Sequence, residues 1–268
     1  MKAAKNDISQ MYFSQYALET YDSCALKFRY RYIDGLYWPS TWAADPEQLE
    51  AIEQGQLFHL AARRYYSGIP VGPLEEPVKS WLEELKRFRP RDEEALFLPE
   101  QEIRLNAGGL KLLVKLDLLM VLPDGRAVIY DWKTTPHQPK ASFFARSLQT
   151  IVYRYVLKQA GQKYSPKGDF SSEDISMIYW NPRYPHAVEP IGYHEEDFRR
   201  DEKILRQLIE EIKGKPYEEF YATGDTKKCT YCVYAPICHG TSVDYRRLEE
   251  VEDELDLDWE SIEEFAWE

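Results

Sequence analysis

The chain has 268 residues, 44% of them apolar, and a formal net charge of −12. That length buries a substantial core in one large domain, and no stretch approaches the roughly 20 apolar residues of a membrane span. The opening MKAAKNDISQ carries no apolar h-region, so a cytoplasmic protein with no membrane partner is expected. The acidity is concentrated at one end. Glu249 to Glu268 holds eleven acids and no Lys or Arg, leaving 34 basic against 35 acidic residues in 1–248. A nearly neutral body does not exclude a nucleic-acid partner. Two segments follow: a domain over 1–248 and a flexible acidic tail over 249–268. The tail reads as a solvated end or, with Trp259, Phe265 and Trp267 among its acids, as a docking peptide or DNA mimic.

In chain order, Ser14 to Ile33 predicts a helix with Ser14 as N-cap and Gly35 as stop. A second helix is expected over Pro46–Tyr66, ending at Ser67-Gly68, and a third over Leu74–Phe88 before Pro90. The pattern then changes to strands: Gln101–Asn106, a Gly108-Gly109 turn, the apolar run Leu110–Leu122, a Pro123-Asp124-Gly125 turn and Arg126–Trp132. A helix over Ala141–Ala160 follows, then strands at Ile175–Trp180 and Val188–Tyr193, then a helix over Glu195–Ile212. This order predicts an α+β sandwich with a mixed central sheet.

Asp131-Trp132-Lys133 ends the third strand, and alternation puts Asp131 and Lys133 on one face. Asp117 sits within the preceding strand, flanked by leucines, where an acid is costly unless it binds something. The hairpin brings Asp117 near the level of Asp131. Two carboxylates and a lysine converging at a sheet edge can hold Mg²⁺ or Mn²⁺ and activate water. A buried Asp–Lys ion pair is the plainer reading of the D-x-K triplet alone. His59 closes a G-x-x-x-H run begun by Gly55, and an imidazole ligand favours Mn²⁺. Gln149 and Tyr153 share a helix face, from which they can reach Lys133 or a DNA backbone. Lys27-Phe28-Arg29-Tyr30-Arg31-Tyr32 interleaves basic and aromatic residues, which suits nucleic-acid stacking or a plain amphipathic helix.

The order Gly55-x-x-x-His59, Asp117, Asp131-Trp132-Lys133, Gln149-x-x-x-Tyr153 resembles the RecB-like branch of the PD-(D/E)XK nuclease superfamily, over roughly Ser14 to Cys238. The resemblance implies a restriction-endonuclease-like core with an N-terminal helical elaboration and a C-terminal cysteine cluster. It implies metal ligation by His59, Asp117 and Asp131 with the Trp132 carbonyl. It gives Asp117, Asp131 and Lys133 catalytic roles and has Gln149 and Tyr153 organise the site, with Glu102 in its wider surroundings.

Cys24, Cys229, Cys232 and Cys238 are the only cysteines. In an intracellular chain they read as metal ligands rather than disulfides. Their three-plus-one grouping differs from the two close pairs usual for structural zinc, although zinc held by all four, or by three with His239, stays open. The grouping resembles AddB-type nuclease domains and CRISPR-associated RecB-like exonucleases. In those proteins an early cysteine and a late triplet hold a 4Fe-4S cluster. Cys24-Ala25-Leu26-Lys27-Phe28 is similar to that family's Cys-Pro-x-x-Phe, with Ala25 in place of proline, and Tyr231 and Ala235-Pro236-Ile237 resemble its late segment. A cluster joining Cys24 to Cys229 would close a loop of about two hundred residues, on the order of 5 kcal/mol of chain entropy.

The expectation is a metal-dependent DNA nuclease, an exonuclease acting on single-stranded ends, with a helicase or CRISPR-adaptation protein as partner. The alternatives are a non-catalytic DNA-binding module of the same fold and an iron–sulfur redox sensor that binds DNA.

Overall fold

The computed structural model describes residues 6–36, 46–89, 94–138, 140–230 and 232–240. Tyr231 and the acidic tail therefore lie outside the described residues. Helix α1 (Gln15–Ser23) starts where expected: the Ser14 hydroxyl accepts from the Ala17 N–H at 3.2 Å, satisfying one of the orphan donors of a helix start. The expected single helix breaks at Cys24, whose backbone is extended at φ −161° and ψ 113°. Helix α2 (Ala25–Phe28) then runs into a π-helical turn, Arg29–Ile33.

Helices α3 (Pro46–Tyr66) and α4 (Val78–Phe88) follow, α4 starting only after Pro77, which supplies no N–H to an earlier turn. Strands β1 (Leu96–Ala107), β2 (Leu110–Val121) and β3 (Ala127–Trp132) form the expected meander. Gly108 and Gly109, both at positive φ, make the two-residue turn whose twist matches antiparallel strands. The expected long helix after β3 divides into α5 (Ala141–Phe144) and α6 (Leu148–Ala160), because Ser147 caps a new start by accepting from Thr150 N–H. Strand β4 (Ile175–Trp180) matches its expected bounds, whereas β5 shrinks to Ile191–Gly192. Helix α7 (Glu195–Gly214) and the short α8 (Thr226–Cys229) and α9 (Ala235–His239) complete the described chain.

The sheet runs β1-β2-β3-β4-β5. Only β3 and β4 pair in parallel, joined by the crossover through α6, so the fold is the mixed α+β architecture expected. Each face carries its own core. Leu112, Val114, Ile129, Val152, Val156 and Leu205 pack on the side of α1, α6 and α7. Phe58, Trp81, Leu85, Leu118, Trp132 and Trp180 pack on the side of α3 and α4.

The first two strands of the sheet change faces partway along. In β2, Leu112, Val114 and Leu116 join the first core, but so do Leu119 and Val121, while Leu118 and Met120 join the second. Strand alternation alone cannot do this. Strand β1 changes in step: Ile103 and Leu105 face the first core as does Leu98, but Phe97 faces the second. The ladder keeps its register on both sides, with Pro99 opposite Leu118 and Gln101 opposite Leu116. The inversion falls on Glu100 and Asp117, and Glu100 is the one non-glycine residue at positive φ among the described residues, at 52°.

Candidate active site

Asp117 sits at this inversion and so is turned toward α3. Its Oδ1 lies 3.3 Å from Nδ1 of His59, and its Oδ2 accepts from the Trp132 backbone N–H at 2.7 Å. That bond crosses from β2 to β3 just past the Leu118–Tyr130 pair. Burial alone would lower the pKa of His59, but the charge of Asp117 and its hydrogen bond outweigh this and push the imidazole up. The same pairing, with the Trp132 N–H, overcomes burial and holds the Asp117 carboxyl below the usual carboxylate range.

Glu100 lies across the strand pair from Asp117, its side chain 11% exposed. Burial and the charge of Asp117 push its carboxyl up, and Lys115 approaches it at 2.8 Å. Donor atoms of His59, Glu100 and Asp117 all lie within 4.8 Å of one another. An imidazole with two carboxylates is a donor set that suits a divalent cation.

Asp131 belongs to the other side of the sheet edge. Its neighbours Tyr130 and Trp132 pack in the α3–α4 core, so Asp131 faces α6. There Gln149 Nε2 donates to Asp131 Oδ1 at 2.9 Å, and Lys133 Nζ lies 3.2 Å from Oδ2. Lys133 also donates to Gln149 Oε1 at 3.3 Å. Gln149 Nε2 lies 3.5 Å from the Tyr153 hydroxyl, one turn along α6 as the spacing predicts. The Lys133 ammonium is held 5.5 Å from the ring of Tyr179 and 5.9 Å from that of Phe144, and those two rings stack at 4.0 Å. Tyr179, the parallel partner of Asp131, donates to or accepts from Thr150 at 2.8 Å.

The structure thus brings His59 and Asp117 together on the α3 side, and Asp131, Lys133, Gln149 and Tyr153 together on the α6 side, at the same end of β2 and β3; Asp131 is not in the His59–Glu100–Asp117 donor group. Trp132 contributes its backbone N–H to Asp117, while its indole packs in the second core. Glu102 is not at the site: it is half exposed and pairs with Arg104 at 2.6 Å. Glu100, Phe144 and Tyr179 were not foreseen. The signal for Glu100 was the Pro99-Glu100 step in β1 and the three-residue spacing from Leu116 to Leu119, which marks the phase change. No local signal gives Tyr179, whose place depends on the parallel register of β4.

Close approach of α3 to this edge depends on Gly55. It is buried, and a Cβ there would come within 3.0 Å of the Thr134 hydroxyl.

A second cluster lies where α1 and α2 meet the segment from Ala222 to His239. Cys24, Cys229, Cys232 and Cys238 line one pocket with Lys27, Lys228 and His239. The break at Cys24 supports this, and Thr223 N–H donates to Cys24 Sγ at 3.4 Å. None of the four is in a disulfide. Burial first, and then the Cys24 thiol and Asp225, push the Cys229 thiol up. Burial dominates likewise at Cys232 and Cys238 and favours their neutral thiols. Four cysteine sulfurs lining one pocket are a donor set that suits a thiophilic metal centre. Lys27 to Tyr32 belongs to this region. Arg29 pairs with Asp34 at 3.3 Å and lies over Tyr217, and Tyr30 packs on Tyr234. The basic–aromatic segment therefore braces the cysteine pocket.

No helix among the described residues is long and apolar enough to cross a membrane. The sequence profile of the family described as the PD-(D/E)XK nuclease superfamily matches residues 12–96 and 74–239. Among solved structures, the chain is similar to a candidate exonuclease from Eubacterium rectale. The two are 13% identical, with 77% of this chain and 82% of that one covered, at a TM-score of 0.49. It is also similar to the protein named SSO0001, at 14% identity, 87% and 88% coverage and a TM-score of 0.36. No curated protein matches the chain.

Proposed function

Because the chain belongs to the PD-(D/E)XK nuclease superfamily, we propose that it is a RecB-like, iron–sulfur exonuclease that hydrolyses DNA from single-stranded ends with Mn²⁺ or Mg²⁺. The observation that carries this reading is Gln149 bridging Asp131 and Lys133 beside the His59–Asp117 pair. Structural ion pairs do not need a half-buried amide joining both partners next to a second, oriented carboxylate.

His59, Asp117 and Asp131 would hold the cation, with the Trp132 carbonyl completing the set. A bound divalent ion supplies Lewis acidity and lowers the pKa of water. The chain's own groups do the positioning. Asp117 fixes the imidazole of His59 and is itself fixed by the Trp132 N–H. Gln149 sets the Asp131–Lys133 spacing, and Tyr153 backs Gln149. Lys133, steered by the rings of Phe144 and Tyr179, presents its ammonium to a phosphate oxygen and stabilises charge as it develops there.

The domain over 1–248 is proposed to be closed by a 4Fe-4S cluster on Cys24, Cys229, Cys232 and Cys238, which line one pocket. A helicase or CRISPR-adaptation protein is the proposed partner class. The test of the mechanism is Lys133→Ala. It should abolish Mn²⁺-dependent cleavage while circular dichroism and the visible absorption of anaerobically purified protein stay unchanged. Retained cleavage refutes the assignment. A colourless protein with stoichiometric zinc refutes the cluster.

A further inference from the structure

We propose that Glu100 is a further ligand of the divalent cation, sharing it with His59 and Asp117. The inference deepens the metal-dependent reading above and rests on it. Three independent observations converge on this residue. Its carboxylate belongs to the set of donors lying within 4.8 Å of one another with His59 and Asp117. Its backbone is held in the left-handed region at φ 52°, a conformation that is unfavourable for an L-residue with a side chain. The strand pair inverts its faces at this point, with register kept on either side, and so turns Glu100 together with Asp117 toward His59 on α3.

Strained non-glycine backbone persists where surrounding structure over-determines it and is concentrated at functional sites. A structural role for Glu100 would be met by glycine, which adopts this φ without penalty. What glycine cannot supply is the carboxylate. Lys115, 2.8 Å away and 39% exposed, balances that carboxylate and has room to withdraw when a cation takes its place. Adding Glu100 gives the ion a third carboxylate beside Asp117 and Asp131. That moves the donor set toward oxygen and makes room for hard cations alongside Mn²⁺.

The test is Mn²⁺ binding to the full chain, measured by the electron paramagnetic resonance signal of free Mn²⁺ and by calorimetry, with no DNA present. Glu100→Gln keeps the shape and removes the charge; it should weaken binding at least about tenfold. Glu102→Gln, two residues along and exposed, should bind as wild type does. Glu100→Gly relieves the backbone, so it folds even if the glutamine variant does not, and it should show the same weakening. Binding by either Glu100 variant within twofold of wild type overturns the inference. If Asp117→Asn abolishes binding while Glu100→Gln leaves it intact, this inference alone fails. If the wild-type chain binds no Mn²⁺, the metal-dependent reading fails and takes this inference with it.

Discussion

Gly55→Ala should impair the enzyme far more than the fold. The added Cβ would stand 3.0 Å from the Thr134 hydroxyl. Ordinary van der Waals contact begins near 3.4 Å, so Thr134 must yield by a few tenths of an ångström. Its backbone has little freedom to do so, because Lys133 N–H donates to Trp180 O at 2.8 Å and the Thr134 carbonyl accepts from Arg183 at 3.0 Å. The side chain must leave its rotamer, at roughly 0.5–1.5 kcal/mol, or Lys133 must move with it. Against this, alanine inside a helix gains about 0.5–1 kcal/mol over glycine. The two nearly cancel, and for a domain of this size the unfolding midpoint should move by no more than about 4 °C. Cleavage should suffer more, since a misplacement of about 1 Å costs on the order of 100-fold in rate; a few tenths should cost about tenfold. Differential scanning calorimetry and Mn²⁺-dependent cleavage of a fluorescent single-stranded oligonucleotide separate the two effects. Wild-type cleavage by a stably folded variant would refute the reasoning. A stability loss above about 3 kcal/mol would do the same, by showing that Gly55 serves packing instead.

Gln149→Ala removes hydrogen bonds to both Asp131 and Lys133, so turnover should fall about 10- to 100-fold; single-turnover cleavage at saturating substrate reads this directly. Arg154→Ala should destabilise the domain by about 3–5 kcal/mol in urea denaturation, because Arg154 is 2% exposed, lies 3.3 Å from the fully buried Asp201 and donates to Gly192 O. Cys24→Ala should remove the visible absorption that the proposed cluster gives and lower the unfolding midpoint, whereas EDTA should stop cleavage and leave that absorption in place. A colourless protein that gives up stoichiometric zinc to EDTA would show that the cysteines hold zinc instead.

Much of the candidate site was legible because its residues stand in short spacings. D-x-K at the end of an apolar run, G-x-x-x-H and Q-x-x-x-Y each depend on one element's own periodicity, and Asp117 needed only a hairpin. Glu100 was hidden for a physical reason. The expected strand began at Gln101, whereas β1 starts at Leu96, and the left-handed backbone at Glu100 interrupts the alternation by which a strand is read from its sequence. Tyr179 and Phe144 were hidden because cross-sheet register and loop packing are set by tertiary contacts, not by neighbours in sequence. The helix predicted through Cys24 failed similarly: nothing in its local propensity reports that this residue must leave the helix for its thiol to meet Cys229, Cys232 and Cys238. Strands β2, β3 and β4 fell where alternation and turn glycines placed them, since there local pattern and global packing agree, whereas β1 begins five residues earlier than expected, at Leu96.

The paired inversion at Glu100 and Asp117 also limits how this part of the chain can change in length. Both strands cross from one core to the other at the same rung, so everything between that rung and the Gly108-Gly109 turn hangs from it as a hairpin arm. Removing one residue from the arm would slip the register and turn a whole row of Leu and Val outward. Removing one residue from each strand would keep the pairing but turn every side chain between the cut and the turn to the other face, whereas removing two from each would shorten the arm and leave every face as it was. Length variants that keep the proposed cation ligands aligned should therefore differ from this chain here by two residues in each strand, or a multiple of that.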